Sequence, residues 1–186
     1  MFVGLLSDTH GVFSKEFADF LAPVDVIWHA GDWGGSLGFV QQIRDLGKPI
    51  VGVYGNCDGL DIRQEFPEYQ FFREEGLGIL LTHIGGSPGH YYPRAQQLIR
   101  ACKPDIFVCG HSHILRVEWD HSGFLYMNPG AAGLQGWQVV RTALRFKLGP
   151  APASPAPASA SPAGSSTPSA VVDRISELEV FNLPRS

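Results

Sequence analysis

The chain has 186 residues, of which 44% are hydrophobic and 17% charged, and its formal net charge is -4. That is the size of one ordinary domain with enough apolar material for a core, which excludes global disorder. It also carries no basic excess to attract long nucleic acid.

No window approaches a membrane span, and the start, MFVGLLSDTHG, lacks the basic residue and long apolar run of a secretory signal. The three cysteines, Cys57, Cys102 and Cys109, have no framework spacing. They read as reduced thiols in a cytoplasmic protein.

Phe2 to Leu6 is a short apolar run closed by Ser7, Asp8 and Thr9, which predicts a buried strand. Val12 to Leu21 places Phe13, Phe17, Phe20 and Leu21 at helical spacing, with Pro23 as the stop. A second buried strand is expected over Asp25–His29. A helix follows over Leu37–Leu46, ended by Gly47, and a third strand over Ile50–Tyr54. This β-α-β-α-β order predicts a parallel sheet with crossover helices.

Tyr69–Arg73 and Leu77–His83 read as a hairpin. Pro93–Cys102 reads as a helix with proline in its first turn, and Asp105–Cys109 as a buried strand. Leu115–Trp119 and Phe124–Met127 predict a second hairpin, and Val139–Leu148 a long strand. Gly149 to Ala170 is almost wholly Pro, Ala, Ser, Gly and Thr, too poor in apolar surface to offset its ordering entropy, and is expected to be a disordered loop. Beyond it, Ser176–Leu183 is apolar enough to return as a closing strand paired with Val139–Leu148. The whole chain, 1–186, is then one domain with a loop inserted before its last strand.

The chemistry lies where the strands stop. Asp8 and His10 follow the first strand and Asp32 the second. Asn56 and Asp58 follow the third, His83 ends the hairpin strand, and His111 and His113 follow the strand ending at Cys109. Ligands of α/β sheets gather at the carboxyl ends of strands. Taken singly, each signal has an ordinary alternative. Asp8 is in place for a helix cap, Asn56 for a turn, and a lone His-x-His is common. Together, Asp8, His10, Asp32, Asn56, His83, His111 and His113 are too many donors for one ion and suit two ions sharing a carboxylate. Imidazole and carboxylate donors without cysteine point to Zn, Mn, Fe, Co or Ni.

The set Asp8-Thr9-His10, Gly31-Asp32, Gly55-Asn56-Cys57-Asp58, Thr82-His83 and Gly110-His111-Ser112-His113 resembles the calcineurin-like metallophosphoesterase superfamily. The short chain and the Asn128-Pro129-Gly130 turn resemble its small bacterial and archaeal phosphodiesterase branch. The resemblance implies an α/β fold, a four-layer α/β/β/α sandwich of two mixed β-sheets with flanking helices. It implies that Asp8, His10 and His113 hold one divalent transition metal ion, that Asn56, His83 and His111 hold a second, and that Asp32 bridges the two.

The expected activity is hydrolysis of small phosphate esters, phosphodiesters ahead of monoesters, by a hydroxide bridging two metal ions. Asn56, Cys57 and Asp58 are the candidate catalytic residues. Asn56 adds a hydrogen bond to the phosphate, and Asp58 orients an imidazole such as His10. Many relatives carry histidine where this chain has Cys57, so leaving groups needing little protonation are expected to be preferred.

The expected partner is a small phosphate-ester substrate, with no membrane and no long nucleic acid, and a homo-oligomer stays open. The alternatives are a phosphomonoesterase with the same site and a binding scaffold like the small retromer subunit. Arg63, Arg94 and Arg116 stand as candidates either for phosphate contact or for ion pairs, and His90 as an alternative proton donor or a surface loop residue.

Overall fold

The computed structural model describes residues 1–150, Val171 and residues 174–185. The loop expected over 149–170 therefore lies, from residue 151 onward, outside the described residues. Among those described, no helix is long and apolar enough to cross a membrane.

In chain order the strands are β1 (Phe2–Leu6), β2 (Val26–His29), β3 (Ile50–Gly52), β4 (Tyr69–Glu74), β5 (Leu77–Thr82), β6 (Gly86–Ser87), β7 (His90–Tyr91), β8 (Ile106–Val108), β9 (Leu115–Trp119), β10 (Leu125–Pro129), β11 (Val140–Leu148) and β12 (Ile175–Pro184). The helices are α1 (Lys15–Leu21), α2 (Leu37–Arg44), α3 (Leu60–Glu65) and α4 (Pro93–Cys102).

One five-stranded sheet has the order β12-β11-β1-β2-β3, and the other β4-β5-β8-β10-β9. In the first, β1, β2 and β3 run parallel while β11 and β12 pair antiparallel. In the second, β5, β8 and β10 run parallel while β4 and β9 close the edges antiparallel. A separate two-stranded ribbon joins β6 to β7.

Period-two alternation divides the apolar side chains between layers. Val3, Leu5 and Trp28 from the first sheet meet Ile79, Leu81, Val108 and Met127 from the second. Trp28 spans the interface, edge-on to Phe72 at 5.3 Å and to Phe146 at 5.8 Å. Their neighbours point outward. Leu6 and Ile27 pack on Phe17 and Leu21 of α1 and on Val40 and Ile43 of α2. Leu80 and Phe107 pack on Ala95 and Leu98 of α4. The result is the expected four-layer α/β/β/α sandwich.

The closing strand takes the expected partner. The β11–β12 register runs from Val140 opposite Pro184 to Leu148 opposite Ile175, with one shift between Arg145 and Lys147. Phe181 on β12 seats between Phe17 and Phe20, 4.9 Å from each ring.

Some boundaries differ from expectation. α1 begins at Lys15 rather than Val12, because the chain first closes a tight turn, with Val12 N–H donating to the Thr9 carbonyl at 2.9 Å. β3 stops at Gly52, since Tyr54 N–H leaves the sheet for the Pro67 carbonyl. Helix α3 and the β6–β7 ribbon carry no sequence signal. They are six and two residues long, and α3 buries only Ile62.

Candidate metal centre

The parallel strands of both sheets deliver their carboxyl ends to one edge of the sandwich, where backbone bonds sew the following loops together. Asp8 N–H donates to the Gly31 carbonyl at 2.9 Å, His10 N–H to the Asp32 carbonyl at 3.1 Å, and Gly110 N–H to the His83 carbonyl at 3.0 Å. The last of these bonds ties loops from two neighbouring strands of the second sheet, and the first two tie loops of the first sheet. Asp8, His10, Asp32, His111 and His113 all hold positive φ between 46° and 67°. Side chains other than glycine rarely adopt that region, so the surroundings impose it.

Two glycines are required by close approach. A Cβ at Gly55 would overlap the Asp32 carboxylate, and one at Gly110 would overlap the Ser7 hydroxyl.

Asp8 is fully buried and Asp32 nearly so. Asp8 Oδ2 accepts from His111 N–H at 3.1 Å, while Oδ1 has no hydrogen-bond partner. Around that oxygen lie three imidazole Nε2 atoms, His113 at 3.1 Å and His10 and His83 each at 4.0 Å. Asp32 Oδ2 lies 3.3 Å from His83 Nε2 and 3.9 Å from His10 Nε2. Its Oδ1 accepts from Cys57 N–H at 2.8 Å. Asn56 Oδ1 lies 3.1 Å from His83 Nε2, and the His83 and His111 rings are 5.3 Å apart. His10 and His113 present their Nε2 atoms to each other at 3.5 Å.

An orphaned, buried carboxylate oxygen facing several imidazole nitrogens is the donor set of a cation site. Two mutually close groups share it. Asp8, His10 and His113 form one, and Asp8, Asp32 and His83 form another. A third close group, His10, Asp32 and Cys57, brings a thiol within reach, which the sequence did not suggest.

Electrostatics follow the same layout. Burial pushes His10 and His111 below the ordinary imidazole range. Burial also works against His83, but the Asp32 and Asp8 carboxylates outweigh it and raise that ring; Asp8 raises His113 likewise. A bound cation takes the place of the proton such rings would hold. Burial alone would raise Asp32, yet its contacts with His83 and Cys57 hold it well below the usual carboxylate range. Burial and the Asp32, Asp58 and Asp8 charges push the Cys57 thiol up to about 11.

Outside the ligand set, His83 Nδ1 donates to the Ala30 carbonyl at 2.7 Å and His113 Nδ1 to Gln138 Oε1 at 3.1 Å, which turns both Nε2 atoms inward. Gln138 went unnoticed in the sequence. It lies in an irregular loop after β10 that carries no motif. Asn128 fixes the His111–His113 loop from behind, donating to the Gly110 carbonyl and to Ser112 Oγ. Replacing Gln138 with alanine is expected to weaken metal binding about 10–100-fold, read by competition with a chromophoric chelator. Unchanged affinity would remove Gln138 from the support of His113.

Two expectations change, for Asp58 and Arg63, while Arg94 and Arg116 take the ion-pair alternative. Asp58 orients no imidazole; its carboxylate accepts from Gly34 N–H at 3.0 Å and Gly55 N–H at 2.7 Å, and so braces the loop that carries Asn56. Arg63 binds the carbonyls of Asp58, Gly55 and Asn56, clamping that same loop. Arg94 and Arg116 are in ion pairs with Glu68 and Glu118, at 2.8 and 2.7 Å. His90 is exposed on β7 at the wall of a cleft that it shares with His111.

A phosphodiesterase of Methanocaldococcus jannaschii is 26% identical over 151 residues, which cover 70% of this chain and 83% of that protein. The structure of vacuolar protein sorting 29 from Cryptosporidium parvum superposes with a TM-score of 0.65 at 23% identity, covering 81% of this chain and 86% of the other. A structure described as a novel archaeal phosphodiesterase superposes with a TM-score of 0.62 at 23% identity, covering 78% and 93%. The calcineurin-like phosphoesterase superfamily domain matches residues 1–149, and the chain belongs to that superfamily.

Proposed function

We propose that this chain is a phosphodiesterase that works with two divalent transition metal ions. Asp8, His10 and His113 would hold one ion and Asn56, His83 and His111 the other, with Asp32 shared between them. The observation that carries this reading is the orphaned Asp8 Oδ1, buried among three imidazoles. When bound, the ions supply a hydroxide nucleophile near neutral pH and neutralise charge on the phosphoryl oxygens.

The chain's own residues set the rest. The loops exclude water behind Asp8, Gln138 and the Ala30 carbonyl fix the two rings, and Asn56 Nδ2 faces the exposed side of the site, where it already donates to Cys57 Sγ at 3.1 Å. Support for a diester comes from the surroundings. Three clefts, of about 420, 250 and 450 Å³, each reach at least one proposed ligand, and a diester has two substituents to seat.

The test is metal content by elemental analysis, with turnover of bis-para-nitrophenyl phosphate before and after chelation. Metal-dependent turnover faster than that of the aryl monoester supports the reading, and the reverse order favours a monoesterase. The fold likeness to vacuolar protein sorting 29 supports one rival, a binding scaffold. A metal-loaded protein without turnover would select it.

Cys57 stands beside Asn56 with its thiol held neutral, and a thiol is a poor hydrogen-bond donor. Cys57→His is therefore expected to accelerate esters with alkoxide-like leaving groups by about tenfold or more while changing aryl esters little, since positioned acids contribute most where the leaving group is basic. The measurement is the dependence of rate on leaving-group basicity. An unchanged slope would remove proton donation from this position.

A further inference from the structure

Trp137 is 100% exposed, whereas Trp28 and Trp33 are fully buried. One exposed apolar side chain is ordinary, but Trp137 leaves its large ring in solvent beside a second exposed apolar residue, Ile114, in the same cleft. The loop around Trp137 is held. Arg185, just past β12, donates to the Gly136 carbonyl on one side of Trp137 at 2.6 Å and to the Gln138 carbonyl on the other at 3.3 Å. Gln138 in turn donates to the Gly133 and Gln135 carbonyls and contacts His113. The backbone on either side of Trp137 is thus fixed, and the indole stands one residue from the group that orients a proposed metal ligand.

Trp137 also lines the cleft of about 450 Å³ that contains His111 and His113. Ile114, next to His113 and 65% exposed, is a second apolar side chain of the same cleft.

We infer that Trp137 and Ile114 form the subsite for a planar aromatic substituent of the phosphate ester, a nucleobase or an aryl ring, stacked on the indole while the phosphate lies toward His111 and His113. The inference rests on the phosphoesterase reading and narrows its substrate class. Stacking suits this place because every nucleobase or aryl ring offers a π-face, so shape rather than a hydrogen-bond pattern selects the ligand. The other two clefts carry tyrosines, Tyr92 and Tyr126 in one and Tyr54 and Tyr92 in the other, beside arginines, Arg116 in the first and Arg63 and Arg94 in the second.

The test uses the manganese-loaded full chain and three competitive ligands: adenosine monophosphate, phenyl phosphate and ribose phosphate. The wild type is expected to bind at least one of the aromatic ligands roughly five- to hundredfold more tightly than ribose phosphate, the range that base–aromatic stacking supplies. Trp137→Ala should erase that ratio, and Trp137→Phe should keep most of it. Whichever aromatic ligand shows the larger dependence on Trp137 identifies the source of the ring. A ratio that is the same in wild type and Trp137→Ala overturns the subsite.

Quenching of tryptophan fluorescence gives a readout independent of turnover. Saturable quenching by adenosine monophosphate or phenyl phosphate that disappears in Trp137→Phe supports the subsite, and no Trp137-dependent quenching overturns it. If the wild type turns over no ester at all, the phosphoesterase reading fails, and the quenching titration still decides whether Trp137 binds an aromatic phosphate.

Discussion

Asp32→Asn is expected to reduce kcat/KM on bis-para-nitrophenyl phosphate by about a thousandfold or more, and to lower metal content. Asp32 is the carboxylate placed to serve both halves of the site. Oδ2 lies 3.3 Å from His83 Nε2 on one side and 3.9 Å from His10 Nε2 on the other. The amide keeps an oxygen to accept from Cys57 N–H, so the loop stays in place. What the variant loses is the negative charge that the proposed pair of cations would need between them. Elemental analysis and steady-state rates check it together. Full metal content with rates within about tenfold of wild type would remove Asp32 from the bridging position.

The second large effect is on stability. Removing the metal is expected to lower the melting temperature by roughly 5–10 °C. An ion present at a hundred times its dissociation constant stabilises by about 2.7 kcal/mol, and in a chain of this length each kcal/mol moves the midpoint by about 2–4 °C. The physical reason is on display in Asp8 and Asp32. Two carboxylates are buried close together, and one oxygen of Asp8 has no hydrogen bond. Without a cation, that arrangement opposes folding. Asp8→Asn should therefore melt at or above the chelated wild type and show no rise on adding manganese. Scanning calorimetry of both proteins, with and without chelator, measures this. A chelated wild type that melts at the holo temperature would mean that the buried charges are compensated in some other way.

Most of the site was legible in the sequence because its logic is local. A strand that ends in an acid or an imidazole keeps that end wherever the sheet goes, so Asp8, Asp32, His83 and His111 could be assigned to one edge before any packing was known. The closing strand was legible from the apolar content of Ser176–Leu183, although it covers the sheet edge with Leu178 and Val180 still exposed. What was not legible depends on contacts between distant loops. Gln138 is 25 residues from the His113 it orients. Asp58 looked like a partner for an imidazole, yet its oxygens go to the backbone of Gly34 and Gly55, a choice set by how two loops cross. Arg63 carried a charge suited to phosphate, but three carbonyls of its own neighbourhood claim it. Helix α3 is too short to show a period.

The left-handed backbone at Asp8, His10, Asp32, His111 and His113 sets a limit on engineering this protein. Each such residue holds on the order of 1 kcal/mol of conformational energy that glycine would release. A selection for heat tolerance alone would gain that backbone relief from glycine wherever it outweighs the lost side-chain contacts, and each such gain would delete a proposed ligand. Variants hardened in that way should emerge as well-folded and inert, so any thermostabilisation campaign has to score turnover alongside survival.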